Sequence, residues 1–325
     1  SMARPTVYIH RVFYCTYDLY MDAENEALLA SFADVINHGD RGEPVPAEEL
    51  RACLPGVRGI LSLNGSGASD LSADLVKEAG TIEVAAIAHW WHDMHNTAVQ
   101  AWRGAGVASI DASDACNEAV AEWTVGAIIS GLRRFEHFDR EMKRGVLWPE
   151  RLGVAGQLCG ATVGLVGLGR VGRLAAAFLR PFPARVLGYD PFVTPEVAAE
   201  LGVEQVDLDT LLRQSDAVSL HLAVTPATTG IIGRRELSLM KDGALLVNSG
   251  RAALLDNAAL RDELSSGRLR AYLDVFQPEP PPLDDVLRRL DNVVLTPHVA
   301  GHTSLMFKRC GRRAIEALQK YLVAG

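Results

Sequence analysis

Gly167, Gly169 and Gly172 stand in the spacing G-x-G-x-x-G, directly after the apolar run Ala161 to Val166 and directly before the helical run Val171 to Leu179. Such a turn reverses the chain tightly at the first glycine, lets a pyrophosphate approach the backbone at the second, and packs helix on strand at the third. The amides of Arg170 and Val171 then open a helix, where the dipole and unpaired donors favour an anion. Asp190 closes the next apolar run, Arg185 to Tyr189, where a carboxylate accepts hydrogen bonds from the adenosine ribose. Its charge repels a 2′-phosphate, and between Pro191 and Gln214 only Arg213 is there to offset it. The expected cofactor is therefore NAD rather than NADP.

A second set of polar residues follows the later apolar runs. Arg251 comes after Ala244 to Asn248, Asp274 and Glu279 after Leu269 to Leu273, and His298 after Val293 to Leu295. Ligands of open α/β sheets bind outside the carboxyl ends of the strands, so these side chains are expected along one edge. Hydride transfer between a 2-hydroxy acid and nicotinamide needs a base for the hydroxyl proton, a group that orients this base, and a cation for the carboxylate. Imidazoles as a class titrate near neutrality, so a histidine at position 298 suits the first role. Glu279 would hold the ring and favour its protonated form. The planar fork of Arg251 suits a carboxylate gripped by two hydrogen bonds. Asp274 is left open between binding backbone and facing the nicotinamide. Taken singly, a loop histidine or arginine is an ordinary solvated group; joint placement carries the reading.

Positioning these residues requires parallel strands joined by helices. After Gly160 six runs fit a doubly wound sheet: Ala161 to Val166, Arg185 to Tyr189, Ala217 to His221, Ala244 to Asn248, Leu269 to Leu273 and Val293 to Leu295. The earlier part alternates in the same way, with strands expected at Val7 to Phe13, Ala33 to Asn37, Ile60 to Leu63, Val84 to Ala88 and Val107 to Ile110, and a helix at Ser72 to Glu78. Between the two, Asn117 to Arg144 predicts one long helix with Val120, Trp123, Ala127, Ile128 and Leu132 at helical spacing. Ser304 to Leu322 predicts a last amphipathic helix that folds back on the first domain, and the proline-rich run Pro278 to Pro282 a stiff loop.

Composition sets outer limits. The 325 residues are 48% hydrophobic and carry a formal charge of -8, enough chain for two domains and too acidic for a nucleic-acid binder. Cys15, Cys53, Cys116, Cys159 and Cys310 show no C-x-x-C spacing, so neither a disulfide framework nor a zinc site is expected. The apolar run Val125 to Leu132 falls far short of a membrane span. With no basic flank and apolar core near the N-terminus, and Ser1 standing before Met2 like the residue of an expression tag, a cytoplasmic location is expected.

Four segments resemble the D-isomer-specific 2-hydroxyacid dehydrogenase family: LCGATVGLVGLGRVG (Leu158 to Gly172), VNSGRAALLD (Val247 to Asp256), LDVFQPEP (Leu273 to Pro280) and TPHVAG (Thr296 to Gly301). NEAVAEW (Asn117 to Trp123) is similar too, and the likeness runs from about Asn117 to the C-terminus, with a weaker one before it. The resemblance implies an α/β chain in which a Rossmann-type doubly wound parallel sheet, residues 115–301, is inserted in a flavodoxin-like substrate domain of residues 1–114 and 302–325. It implies a cleft that closes on binding and a homodimer; the expected ligand is a small anionic substrate, and charge and the short apolar runs leave no nucleic-acid or membrane partner expected. Arg251, Glu279 and His298 are implied as catalytic, and Arg170, Val171, Asp190, Thr225, Asp274 and His298 to Gly301 as neighbours of NAD. Ser249 and Gly250 of the arginine segment join the cofactor set, and Asn64, Gly65 and Ser66 are substrate candidates.

Two departures from the family pattern stand out. Ala252 follows Arg251 where the family commonly has glycine, and a positive φ there would cost about 1 kcal/mol. Ala88, His89, Trp90, Trp91, His92 and Asp93 replace a glycine-rich turn. His89, Trp90 and His92 are further substrate candidates that would narrow the cleft or receive a second anionic group; the tryptophans would equally well pack on the bridging helix or a partner subunit. His89, His92 and His95 lack the i, i+4 pair and the glutamate of a metalloprotease helix, so no metal is expected. His10 and Arg11, at the end of the first strand, are further pocket candidates. The expected activity is NAD-dependent interconversion of a small D-2-hydroxy acid and its 2-oxo acid. The alternatives are an NAD(H)-sensing corepressor-like interaction protein of the same fold and a dehydrogenase of the formate or phosphite type.

Overall fold

The computed structural model describes residues 3–11, 17–39, 41, 43–63, 70–88, 97–146, 148 and 153–323. The chain divides into two compact units, one of Ser1–Cys116 with His302–Gly325 and one of Asn117–Gly301. The division falls two residues after the expected one, at a single-turn helix, Ser113–Cys116.

The first unit is built on β1 (Thr6–Arg11), α1 (Ala23–Phe32), β2 (Asp34–Ile36), α2 (Ala47–Cys53), β3 (Val57–Leu63), α3 (Ala73–Ala79), β4 (Val84–Ile87), α4 (Thr97–Gly104) and β5 (Ala108–Asp111). Its strands are all parallel in the order β2-β1-β3-β4-β5. Strands covered on both faces need apolar residues at nearly every position, which is why β3 and β4 are buried almost throughout. One face packs Tyr8, Ile60, Ile87, Leu75 and Trp102 into a single cluster. Helix starts are fixed locally: Asp22 accepts from the amide of Asn25, and Ser72 from that of Leu75.

The second unit begins with α5 (Asn117–Arg133) and α6 (Phe135–Lys143). The single helix expected here is broken, because Arg134 adopts a left-handed φ of 56° that ends one helix and caps the next. There follow β6 (Thr162–Val166), α7 (Arg170–Leu179), β7 (Arg185–Tyr189), α8 (Pro195–Glu200), β8 (Glu204–Gln205), α9 (Leu208–Gln214), β9 (Ala217–Leu220), α10 (Arg234–Leu239), β10 (Leu245–Asn248), α11 (Asn257–Ser265), β11 (Arg270–Leu273) and β12 (Val293–Leu295). The sheet has seven parallel strands in the order β12-β11-β10-β9-β6-β7-β8, one more than expected because β8 is two residues long. Side chains alternate across it: Leu245 and Val247 of β10 face the core shared with Ile128 of α5, and Leu246 faces the opposite core with Leu220 and Leu260.

The last helix, α12 (Ser304–Val323), returns to the first unit and lies against β3 and β4. Its seat is specific. Asn25 donates to the carbonyls of Tyr20 (2.8 Å) and Lys308 (3.0 Å), and Gly311 lies so close to the Tyr20 carbonyl that any Cβ would overlap it.

Candidate functional site

Because every strand of the second unit runs the same way, the segments leaving their carboxyl ends share one edge. Along the strand order this edge presents Asp190 after β7, the glycine turn after β6, His221 and Thr225 after β9, Ser249 to Arg251 after β10, Asp274 and Glu279 after β11, and His298 after β12. The strand order reverses between β6 and β9, the place where open sheets open a crevice.

The three glycines have three different physical reasons. Gly167 has a φ of 106°, and a Cβ there would stand 2.6 Å from the amide nitrogen of Leu222. At Gly172 a Cβ would overlap the Gly167 carbonyl oxygen. Gly169 meets nothing within 4 Å, so the protein itself does not require glycine there. That open space lies at the start of α7, whose N-cap is Gly169 and which has no side-chain cap, leaving its first amides available to an anion. Asp190, largely buried, accepts from the amides of Leu168 (2.8 Å) and Phe192 (2.9 Å), which ties the acid to the turn. Each oxygen retains a lone pair for a ribose hydroxyl. Arg213 is drawn towards Asp209 at 3.7 Å.

Arg251 is exposed and donates to the Gly250 carbonyl at 2.8 Å; no carboxylate among the described residues pairs with it. Its backbone is braced by Asn248, fully buried, whose side chain accepts from the Gly250 amide and donates to the Arg251 carbonyl, both at 3.1 Å. A Cβ at Gly250 would approach the Leu220 carbonyl to 3.2 Å, a tight fit. Ala252 opens a single-turn helix, Ala252–Leu254, and its φ is not positive, so the departure from glycine brings no strain. Ser249 lies 3.0 Å from Thr124 of α5, fixing this segment from the other side. Thr225 belongs to a cluster of turn hydroxyls in which the Thr228 hydroxyl accepts from its amide at 2.8 Å.

Nδ1 of His298 lies 3.0 Å from Oε1 of Glu279, with both side chains about a third exposed (30% and 28%). This pairing leaves Nε2 as the ring nitrogen available to a ligand. His298 has a φ of 54°, a conformation that costs a non-glycine residue about 1 kcal/mol or more. The restraint comes from Asp274, which is fully buried and accepts from the Thr296 hydroxyl (2.6 Å) and the amides of Val299 (2.8 Å) and Ala300 (2.9 Å). Of the two readings left open for Asp274, the backbone-binding one is what the geometry displays: the residue has no exposed surface and shapes the turn that carries His298 on towards Gly301.

Other residues escape a reading of the sequence. Asn248 looks like the end of an apolar strand, and its bracing role appears only with its burial. His221 lies beneath the glycine turn, its Cβ 3.6 Å from where a Gly172 Cβ would be. Its Nε2 is buried without a hydrogen-bond partner among the described residues, and burial pushes its pKa down to about 4. Among the expected substrate contacts, Asn64, Gly65, Ser66, His89, Trp90 and His92 lie outside the described residues, as does the Arg11 side chain. His10 is wholly buried, so it does not line a pocket directly.

The family described as D-isomer specific 2-hydroxyacid dehydrogenase, NAD binding domain, matches residues 125–300. The chain belongs to the D-isomer specific 2-hydroxyacid dehydrogenase family. Its second unit is accordingly an NAD-binding Rossmann domain, and the open cradle at Gly169, the uncapped amides of α7 and Asp190 fit that cofactor. Among members, a D-3-phosphoglycerate dehydrogenase of Methanocaldococcus jannaschii is 36% identical over 254 residues, 78% of this chain and 48% of that protein. A hydroxypyruvate reductase of Thermotoga maritima is 34% identical over 284 residues, 86% of this chain and 90% of that protein. The solved structure of a D-2-hydroxyisocaproate dehydrogenase shares the fold with a TM-score of 0.82, covering 98% of this chain and 97% of its own at 23% identity. The chain spans about half the length of the phosphoglycerate dehydrogenases it matches.

Proposed function

We propose that this 2-hydroxyacid dehydrogenase family member is an NAD-dependent enzyme interconverting a small D-2-hydroxy acid and its 2-oxo acid. The observation that supports this most is the His298–Glu279 pair at 3.0 Å on the same strand edge as the glycine cradle and an exposed Arg251 that has no carboxylate partner among the described residues. In the reductive direction Arg251 grips the substrate carboxylate through its planar fork and polarises the neighbouring carbonyl. Glu279 occupies Nδ1 and keeps the His298 ring in one orientation, so that Nε2 delivers a proton to the carbonyl oxygen; in oxidation Nε2 takes the hydroxyl proton back. NAD, when bound, supplies or accepts the hydride. Asp190 selects NAD over NADP by repelling a 2′-phosphate.

The relatives named above act on phosphoglycerate and hydroxypyruvate, so the substrate class proposed is a short 2-oxo acid bearing a polar or anionic group at C3. NADH absorbance followed with hydroxypyruvate, 3-phosphohydroxypyruvate, glyoxylate and pyruvate tests it. Turnover with hydroxypyruvate or 3-phosphohydroxypyruvate supports the reading; turnover with glyoxylate or pyruvate alone overturns the C3 assignment, and tight NADH binding with none of the four overturns the enzyme reading. A second copy of the chain is the proposed partner, since α6 has no buried residue and leaves Phe135 and Met142 more than half exposed. Light scattering at the dimer mass checks this, and cell fractionation checks the proposed cytoplasmic location.

A further inference from the structure

Cys53, His38 and Glu49 of the first unit form a chain of contacts that the reaction proposed above does not use. Cys53 ends α2, Glu49 stands in the first turn of the same helix, and His38 lies two residues beyond β2. Thiol and carboxylate are four residues apart on one helix, hence on one face of it, and the imidazole reaches both. Sγ of Cys53 lies 3.6 Å from Nε2 of His38, and Nδ1 of the same ring lies 3.0 Å from Oε1 of Glu49. Arg41 donates to both oxygens of this carboxylate, at 3.0 and 3.1 Å. The Tyr8 ring meets the imidazole edge-on at 5.7 Å and limits its rotation. The imidazole is 17% exposed and Cys53 partly buried, so the sulfur is open to a small reagent only.

With Nδ1–H donating to Glu49, Nε2 is left unprotonated and faces the thiol. The thiol has one proton and a second acceptor in reach, the Leu50 carbonyl, also at 3.6 Å. That carbonyl already accepts from the Leu54 amide at 2.9 Å, and of the two acceptors only Nε2 is a base. Burial, together with the Glu49 charge, holds the Cys53 thiol above its ordinary pKa. Its proton therefore has to leave as the sulfur attacks, and a base at hydrogen-bond distance is what permits this. We propose that Cys53 is a modification site for small hydroperoxides, with His38 as the base that takes its proton and Glu49 as the positioning residue that holds His38. Nε2 takes the thiol proton as the sulfur attacks one peroxide oxygen. The S–O bond forms, the O–O bond breaks, and the proton passes from Nε2 to the departing oxygen. With hydrogen peroxide, thiol and peroxide become sulfenic acid and water; the sulfur is oxidised by two electrons and the peroxide is reduced.

The test treats the protein with hydrogen peroxide in the presence of dimedone, which traps sulfenic acids, and follows the adduct on each cysteine peptide by mass spectrometry. Cys159 serves as internal reference, because it is exposed and has no imidazole beside it among the described residues. Cys53 is expected to react about tenfold or more faster than Cys159, despite its lower exposure. His38→Gln, which keeps a polar group for Glu49 but no base, should lower the Cys53 rate about tenfold or more and leave that of Cys159 unchanged. Glu49→Gln should lower it by a smaller factor, and Glu49→Asp should restore part of that loss. A Cys53 rate no greater than that of Cys159 in the unaltered protein overturns the proposal. So does an undiminished rate in His38→Gln, which makes the ring a packing neighbour of the sulfur. Should His38→Gln fail to fold, Glu49→Gln decides: a Cys53 rate equal to or above that of the unaltered protein overturns the proposal. The measurement needs neither NADH nor a 2-oxo acid, so its outcome stands apart from that of the dehydrogenase reading.

Discussion

Each of the two parallel sheets carries a histidine beside a carboxylate at its carboxyl edge, and the two pairs are built in opposite ways. His298 and Glu279 lie 3.0 Å apart, partly exposed, on segments beyond the ends of their strands. His10 and Asp70 lie 3.5 Å apart with the ring wholly buried, and His10 is still within β1. Exposure of one ring nitrogen is what permits proton exchange with a ligand. Burial of the whole ring instead closes it to a ligand. On the function proposed above, the exposed pair acts on a ligand, whereas the buried ring lies between Ser62 and Asp70 inside its own unit, and burial separates the two settings.

The strongest way to break this comparison is to remove the exposed histidine. His298→Ala is expected to lower kcat by about 10² to 10⁴-fold while leaving NADH affinity within a few-fold, as measured by fluorescence titration. If kcat stays within tenfold, the exposed pair is not the proton donor and the contrast with His10 loses its meaning.

The glycine turn sharpens the comparison on the cofactor side. Gly169→Ala adds a methyl group to space that only a ligand would fill, so NADH binding should weaken roughly tenfold or more with Tm unchanged. Gly172→Ala drives a methyl group into the Gly167 carbonyl and should lower Tm by several degrees. Equal effects of the two on Tm would show that the open space at Gly169 is not a ligand site. Arg251→Lys retains the charge but not the fork, and should lower kcat/KM by about 10 to 100-fold.

These residues were legible to different degrees. The glycine motif could be read because its constraints are local: a turn, a close approach and a helix contact within six residues. The catalytic candidates could be read because polar residues following apolar runs share an edge whenever strands are parallel. The break at Arg134 could not, since arginine has no preference for the left-handed region, nor could β8, which is too short to show a period. The contacts of Asp274 and His10 reach across the fold, such as His10 with Ser62, whereas those of Asn248 are local, to Gly250 and Arg251; burial separates all three from similar residues at the surface.

The smallest effect concerns His221. In the unfolded chain its imidazole takes up a proton near pH 6.5, whereas in the fold burial delays this to about 4. Between these values the unfolded state binds more protons, so stability is full above about 6.5 and falls as the pH is lowered towards 4, by at most about 3 kcal/mol. His221→Asn should flatten this part of a Tm against pH curve; an unchanged slope would place the acid sensitivity elsewhere.

The central claim is that Arg251, Glu279 and His298 meet one substrate beside NAD. A crystal structure with NADH and oxamate tests it most directly. The account predicts the oxamate carboxylate on the Arg251 guanidinium, an oxamate oxygen within hydrogen-bond distance of His298 Nε2, and the pyrophosphate over Gly169. Oxamate bound away from both side chains, with His298 still paired to Glu279 and facing only solvent, would contradict it.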